Sequence, residues 1–261
     1  MKFARFTLSN EEKIRYGIIS KGRIEEINGD IFSDWQFTGK TFSDLEVQFI
    51  APLEPNQIIG IGLNYVETIE ERPEIIPDIP VFFFKPISSV IGSGTPIVIP
   101  STLTEVKFES ELAVVIGKKA KNVSEDEILD YVFGYTVSND VTAPQYFHSE
   151  GHWMVGKSFD TFTPLGPVIE TEMDPDSVRV RSFLNGVKKQ DSSTGLMIIN
   201  IRQMLSYLTR VMTLSPGDVV LTGSPVGAEF LKEDDIIECV IDEIGTLRNS
   251  VITSVEKART I

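Results

Sequence analysis

The run Val106-Lys107-Phe108-Glu109-Ser110-Glu111-Leu112-Ala113-Val114-Val115-Ile116-Gly117 constrains the fold more than any other stretch of the chain. Read as a strand, it places Glu109, Glu111, Ala113 and Val115 on one face and Phe108, Ser110, Leu112, Val114 and Ile116 on the other. One face thus carries two negative charges that grade into core within two residues. Anions set against buried apolar surface must be neutralised, and a hard divalent cation does so with oxygen ligands. A Glu-x-Glu pair taken alone is ordinarily a solvated face, because Glu is so rarely buried. The remainder of the chain argues for the other reading.

Short strand-like runs recur on both sides of this one. The first fifty or so residues read as a small β unit, with Tyr16–Ile19 and Arg23–Ile27 bracketing the hairpin turn signal Ser20-Lys21-Gly22. Leu53-Glu54-Pro55-Asn56 is a break, which divides the chain into an N-terminal unit, 1–54, and a larger one, 55–261. Beyond it, Ile58–Leu63 reads as a buried strand. Val66–Pro80, acidic and punctuated by Pro73, Pro77 and Pro80, reads as a short helix and then an irregular segment. Ser124-Glu125-Asp126-Glu127 has capping-box form and opens a helix at Ile128; Asn200-Ile201-Arg202-Gln203 opens another that runs to about Met212. Strands dominate, so a mainly β barrel or roll with a few helices is expected, not a doubly wound βαβ sheet.

Charge and cysteine usage narrow the function. A formal charge of −14 with no Lys/Arg cluster repels nucleic acid and anionic membrane surfaces. An anionic substrate would need local positive charge from a metal or a placed lysine. Cys239 is the only cysteine, and His148 and His152 are the only histidines, which excludes an intrachain disulfide, a thiolate zinc site and a three-histidine site. No signal-peptide pattern opens the chain and no apolar run is long enough to span a bilayer, so a cytoplasmic location is expected.

Asp140 closes the strand-like run Phe133–Asp140, whose face also carries Gly134, Thr136 and Ser138, all small. Alone, Asn139-Asp140 would start a turn; beside Glu109 and Glu111 it becomes a third oxygen ligand. Three carboxylates without imidazole or thiolate point to Mg²⁺, Mn²⁺ or Ca²⁺. Lys157, in Gly156-Lys157-Ser158-Phe159, is by default a surface charge, but in a metal cleft it is an ammonium aimed at a developing oxyanion. Gly60-x-Gly62 lacks the third glycine of a dinucleotide fingerprint. Ser224 sits in no nucleophile elbow, although Thr222-Gly223-Ser224 offers hydroxyl and N–H groups to a carboxylate. His148 and His152 read as structural or exposed.

Several of these motifs occur together in a known order. Gly62-Leu63-Asn64-Tyr65, Phe84-Lys85-Pro86, Glu109 to Gly117, Asn139-Asp140-Val141, Gly156 to Phe162, Gly166-Pro167 and Pro216 to Gly223 resemble the fumarylacetoacetate hydrolase family over roughly residues 56–258. The chain looks closest to members that are 2-hydroxyhepta-2,4-diene-1,7-dioate isomerases and acylpyruvate hydrolases. The resemblance implies a mixed β-roll, a homodimer, and Mg²⁺ or Mn²⁺ on Glu109, Glu111 and Asp140. It further implies that Lys157 stabilises enolate or carbonyl oxygen and that Thr161, Thr222, Gly223 and Ser224 line the pocket. The implied substrates are 2-oxo acids that chelate the metal, whose polarisation of the carbonyl serves isomerisation, decarboxylation or C–C hydrolysis.

The departures select among these. Where hydrolytic members carry a histidine and a glutamate in the lid, this chain has Thr68 and Glu71, so the dyad that activates water is incomplete. Pro144 and Phe147 stand where an arginine and a glutamine are common, which should leave the pocket more apolar on that side. The leading expectation is enolate chemistry, as an isomerase, tautomerase or decarboxylase, with Glu71 as proton shuttle. C–C hydrolysis and a catalytically decayed carboxylate binder are the alternatives.

Overall fold

The computed structural model describes residues 1–8 and 11–254; the last stretch of the larger unit, 255–261, lies outside the described residues. The strands of the first unit are β1 (Lys2–Leu8), β2 (Arg15–Ser20), β3 (Arg23–Gly29), β4 (Trp35–Ser43) and β5 (Val47–Phe49). There follow β6 (Ile58–Gly62), β7 (Val81–Lys85), β8 (Val90–Ile91), β9 (Ile97–Pro100), β10 (Ser110–Ile116), β11 (Val132–Asn139), β12 (Thr163–Glu170), β13 (Arg179–Leu184) and β14 (Val187–Ser193). The α-helix α1 (Ile201–Val211) precedes β15 (Val219–Leu221), β16 (Ile236–Ile241) and β17 (Gly245–Ser254).

Two sheets contain these strands. The larger runs β4-β3-β2-β1-β12-β11-β10-β15-β6-β7, with β5 on β1 and β8 on β12; the smaller runs β14-β13-β16-β17-β9. The N-terminal strands extend the large sheet, because β1 pairs antiparallel with β12. The β2–β3 hairpin turns where expected: Lys21 (φ 48°) and Gly22 (φ 75°) are both left-handed, the turn type whose twist suits adjoining strands.

Strand β10 is buried at every residue. Leu112, Val114 and Ile116 join the main core with Val180, Ile237, Cys239, Leu247 and Val251 of the smaller sheet. Ala113 and Val115 pack on the other side with Phe3, Ile58 and Leu165. The alternation read from the sequence therefore separates two hydrophobic clusters, and the expected mainly β roll is the observed architecture. Glu109 lies one residue ahead of the strand, at its mouth.

The two helix expectations diverge. Helix α1 is capped both ways, with Gln203 N–H donating to Asn200 Oδ1 at 2.9 Å and Asn200 N–H donating to Gln203 Oε1 at 3.1 Å. At Ser124–Glu127 the hydroxyl donates to the Glu127 carboxylate at 2.7 Å instead of capping backbone, and a single 3₁₀ turn, Ile128–Tyr131, leads straight into β11. The expected helix there is a one-turn connector. Segment 66–80 forms the 3₁₀ turn Ile69–Glu71 and is otherwise irregular, as its prolines dictate.

Candidate metal centre and active site

The antiparallel register of β10 and β11 opposes Ser110 to Asn139, which brings the mouth of one strand to the end of the other. Two hydrogen bonds fasten the crossing: Asp140 N–H donates to Glu109 O at 2.8 Å, and Glu109 N–H donates to Asn139 Oδ1 at 2.9 Å. Carboxylate oxygens of Glu109, Glu111 and Asp140 consequently lie within 4.8 Å of one another. Glu111 and Asp140 are buried and Glu109 is half-buried.

Two ammonium groups converge on this cluster. Lys157, from the 3₁₀ turn Val155–Lys157, donates to Glu109 Oε2 at 2.6 Å and to Asp140 Oδ2. Lys85, at the end of β7, donates to Asp140 Oδ1 at 2.5 Å. Burial alone would raise the Asp140 pKa, but Lys157 and then Lys85 outweigh it and hold the carboxyl below its ordinary value. The same pairing keeps Lys157 charged: burial opposes it, and Asp140 and Glu109 raise its pKa above that of a free lysine. At Lys85 burial is the larger influence and lowers the pKa.

Glu111 is placed differently. Its Oε2 accepts from Gly223 N–H at 2.7 Å, and no ammonium pairs with it among the described residues. Burial, then the charge of Asp140, pushes its pKa well above the usual carboxylate range. Burial also raises Glu109, against the pull of Lys157. Three clustered carboxylates with one uncompensated are what a hard divalent cation would satisfy, so these residues could hold Mg²⁺ or Mn²⁺.

The turn after β15 is built around Glu111. Thr222 donates both its backbone N–H (3.1 Å) and its hydroxyl (2.8 Å) to Leu112 O, so that hydroxyl serves the sheet. Gly223 has φ +97°, and a Cβ there would lie 2.8 Å from Asn64 Cβ. Asn64 in turn ties the β6 exit to this turn, donating to Thr222 O at 2.9 Å and Ile199 O at 3.1 Å. The Ser224 hydroxyl accepts from Gln190 Nε2 at 2.8 Å and lines the cleft.

The cleft measures about 300 Å³ and has Glu109, Glu111, Asp140 and Lys157 in its wall, with Ile61, Leu63, Tyr65, Phe147, Trp153 and Val226. Phe147 stacks on Trp153 at 5.8 Å, so the side carrying Phe147 is aromatic. Four sequence candidates are absent from this lining: Thr222, whose hydroxyl serves the sheet, Gly223, whose N–H holds Glu111, and two that are placed elsewhere. Thr161, itself left-handed (φ 68°), accepts from Val98 N–H at 2.9 Å and is not in the cleft lining. Glu71 is exposed; its Oε2 accepts from the N–H groups of Glu67 (2.9 Å) and Thr68 (3.3 Å), capping its own turn. His148 and His152 are exposed and face each other at 5.6 Å between ring centroids, outside the lining. Lys85, Asn64 and Trp153 were not among the candidates. Lys85 had a signal: a charge closing the apolar run Val81–Phe84 has to find a buried partner.

A family model described as "Fumarylacetoacetate (FAA) hydrolase C-terminal" matches residues 57–252. The chain belongs to the fumarylacetoacetate hydrolase family. A second model, "Rv2993c-like, N-terminal", matches residues 1–52. Among relatives, a mitochondrial oxaloacetate tautomerase of Xenopus laevis is 40% identical over 219 residues, 79% of this chain and 69% of that one. The crystal structure of 5-carboxymethyl-2-hydroxymuconate delta-isomerase from Mycobacterium smegmatis superposes with a TM-score of 0.90 at 34% identity, covering 97% of this chain and 100% of the other. Maleylpyruvate hydrolase from Sphingobium, solved with manganese(II) and pyruvate, superposes with a TM-score of 0.81 at 26% identity, covering 98% of this chain and all of that one. The family thus contains tautomerases, isomerases and hydrolases on one fold. No helix among the described residues is long and apolar enough to cross a membrane.

Proposed function

We propose that this protein is a Mg²⁺- or Mn²⁺-dependent enzyme that enolises 2-oxo acids, as a tautomerase, isomerase or decarboxylase. The observation that carries the reading is the trio Glu109, Glu111 and Asp140 gathered within 4.8 Å in a cleft that also holds an ammonium. Bound there, a divalent cation would polarise the keto oxygen of a chelating substrate and acidify its α-protons. Lys157, kept cationic by Asp140 and Glu109, is a hydrogen-bond donor to developing negative charge on oxygen and not a base. Glu71 is the proposed proton shuttle. In this structure it caps its own turn, so the role requires segment 66–80 to turn toward the cleft. Ser224 and the Gly223 turn border the substrate, and a homodimer belongs to the same proposal. C–C hydrolysis is the weaker reading, because Thr68 supplies no imidazole to Glu71 and both histidines are outside the cleft lining.

The test is metal-dependent proton exchange. Oxaloacetate and phenylpyruvate, whose enols absorb in the ultraviolet, are followed with Mg²⁺, Mn²⁺ or EDTA, alongside solvent deuterium incorporation by NMR. Acceleration that needs metal and disappears in Asp140→Asn is expected with at least one of the two. Equal exchange in EDTA, or metal affinity unchanged by Asp140→Asn in calorimetry, defeats the assignment. Carboxylate products from an acylpyruvate would instead favour hydrolysis, and oxalate binding without turnover the decayed binder.

A further inference from the structure

Among the described residues, the cleft presents no cation that is free of a carboxylate partner. Three carboxylates and two ammoniums sum to −1; a divalent cation brings the centre to +1, enough to balance a single substrate carboxylate. Lys157 is the only cation among the described lining residues, and it is paired with Glu109 and Asp140. Lys85 is fully buried on Asp140. Arg72, next to Glu71, donates to the carbonyls of Gly195 and Met197 at 2.8 and 2.6 Å, and these bonds keep it out of the cleft unless the turning of segment 66–80 breaks them.

Apart from Asn64, Tyr65 and Ser224, the rest of the lining is an aromatic and aliphatic wall. Trp153 sits directly on Gly62, where an added Cβ would lie 2.1 Å from its ring, and Phe147 sits on Gly156, where a Cβ would lie 2.8 Å away. The two rings stack on each other, and Phe83 meets Trp153 edge-on at 6.0 Å. Such seating on backbone holds the ring faces in one orientation, as a platform for a planar or apolar group. Of the uncharged polar side chains in the lining, Asn64 and Ser224 are hydrogen-bonded within the fold, whereas the Tyr65 hydroxyl is buried with no hydrogen-bond partner among the described residues. It can donate to a neutral oxygen but cannot neutralise a carboxylate.

Resting on the enolisation reading of the same site, we infer that the preferred substrates are 2-oxo acid monoanions with an aryl or alkyl distal group, and that dicarboxylates are disfavoured. A distal carboxylate would be desolvated against rings without a counter-ion, whereas an aryl group would bury its face there.

The test reads affinity, so it does not depend on turnover. Phenylpyruvate, 2-oxoglutarate and oxalate are titrated calorimetrically into Mg²⁺-loaded wild type, Phe147→Ala, Phe147→Leu and Phe147→Arg. Wild type should bind phenylpyruvate at least tenfold more tightly than 2-oxoglutarate. Phe147→Ala should weaken phenylpyruvate about tenfold while oxalate, which has no distal group, stays within threefold; Phe147→Leu, the safer variant to fold, should weaken it less. Phe147→Arg should reverse the preference. Equal or tighter binding of 2-oxoglutarate to wild type overturns the inference, as does a parallel loss of oxalate and phenylpyruvate in both Phe147→Ala and Phe147→Leu. Failure of phenylpyruvate to exchange protons, with affinities as expected, would reject the enolisation reading and leave the selectivity intact.

Discussion

Replacing Glu111 by glutamine should stabilise the metal-free protein and destroy the advantage that metal confers. Glu111 is buried without an ammonium partner, and its folded-state pKa is raised well above 4.5 by burial and by Asp140. Between 4.5 and that raised value the folded state holds a proton that the unfolded state has released, so stability falls as pH rises. At 1.36 kcal/mol per pH unit, the interval from 4.5 to pH 7 limits the cost to about 3 kcal/mol. Glutamine is isosteric and its carbonyl still accepts from Gly223 N–H, so Glu111→Gln should recover part of this upper limit, about 1–2 kcal/mol at pH 7 after allowing for the distant pull of Lys157. Saturating metal inverts the order: at 100 times its Kd, Mg²⁺ adds about 2.7 kcal/mol to wild type and nothing to a variant that cannot bind it. Urea unfolding followed by tryptophan fluorescence, in EDTA and in Mg²⁺ at pH 5.5, 7 and 8.5, measures both. The variant should be the more stable in EDTA, with a flatter pH profile, and the less stable in Mg²⁺. A variant less stable than wild type in EDTA, or stabilised equally by Mg²⁺, would refute the placement of an unpaired carboxylate at the centre.

Lys157→Met should lower metal-dependent turnover about 100-fold or more, the scale of losing one donor to an oxyanion, while calorimetry still detects metal binding; an unchanged rate removes Lys157 from the chemistry. Gly223→Ala forces a left-handed φ of +97° on alanine and a close approach to Asn64, so thermal unfolding should show a loss of about 1–3 kcal/mol. Asn200→Ala removes one half of a capping box and should cost about 1 kcal/mol by denaturant titration, with activity retained. Cys239 is fully buried and its pKa is pushed up to about 12, so iodoacetamide at pH 8 should leave it unmodified until urea unfolds the protein.

What could be read in advance follows from how locally each feature is determined. Glu109 and Glu111 at the mouth of an apolar strand, and Asp140 at the end of a small-residue face, declare themselves through period-two alternation, which is a property of single strands. The α1 capping box is likewise local, and it forms. The Ser124–Glu127 signal failed because its two side chains satisfy each other and the strand β11 begins at once, a tertiary demand that no four-residue motif contains. Lys85 and Asn64 were overlooked because their partners, Asp140, Thr222 and Ile199, are 55 to 158 residues away. The apolar character expected beside Pro144 and Phe147 was legible by substitution of residue type; the seating of Trp153 depends on Gly62 and that of Phe147 on Gly156, whose missing Cβ atoms make the room.

The two lysines explain why so acidic a chain can gather three carboxylates before any cation arrives. Lys157 and Lys85 clamp both oxygens of Asp140, and Lys157 also holds Glu109, so two of the three carboxylates are neutralised within the fold itself. Removing one partner from a buried ion pair ordinarily costs several kcal/mol, which makes this clamp a structural requirement as well as a chemical one. Among the described residues Glu111 is the carboxylate of the three left without a cationic partner, and it is held in place by a backbone N–H that cannot move without moving the β15 turn. The fold therefore fixes the geometry with ammoniums and reserves a single unit of negative charge for what binds. A divalent cation plus one substrate carboxylate would return the site to neutrality, which is why the proposed substrate carries an uncharged tail toward the aromatic remainder of the cleft.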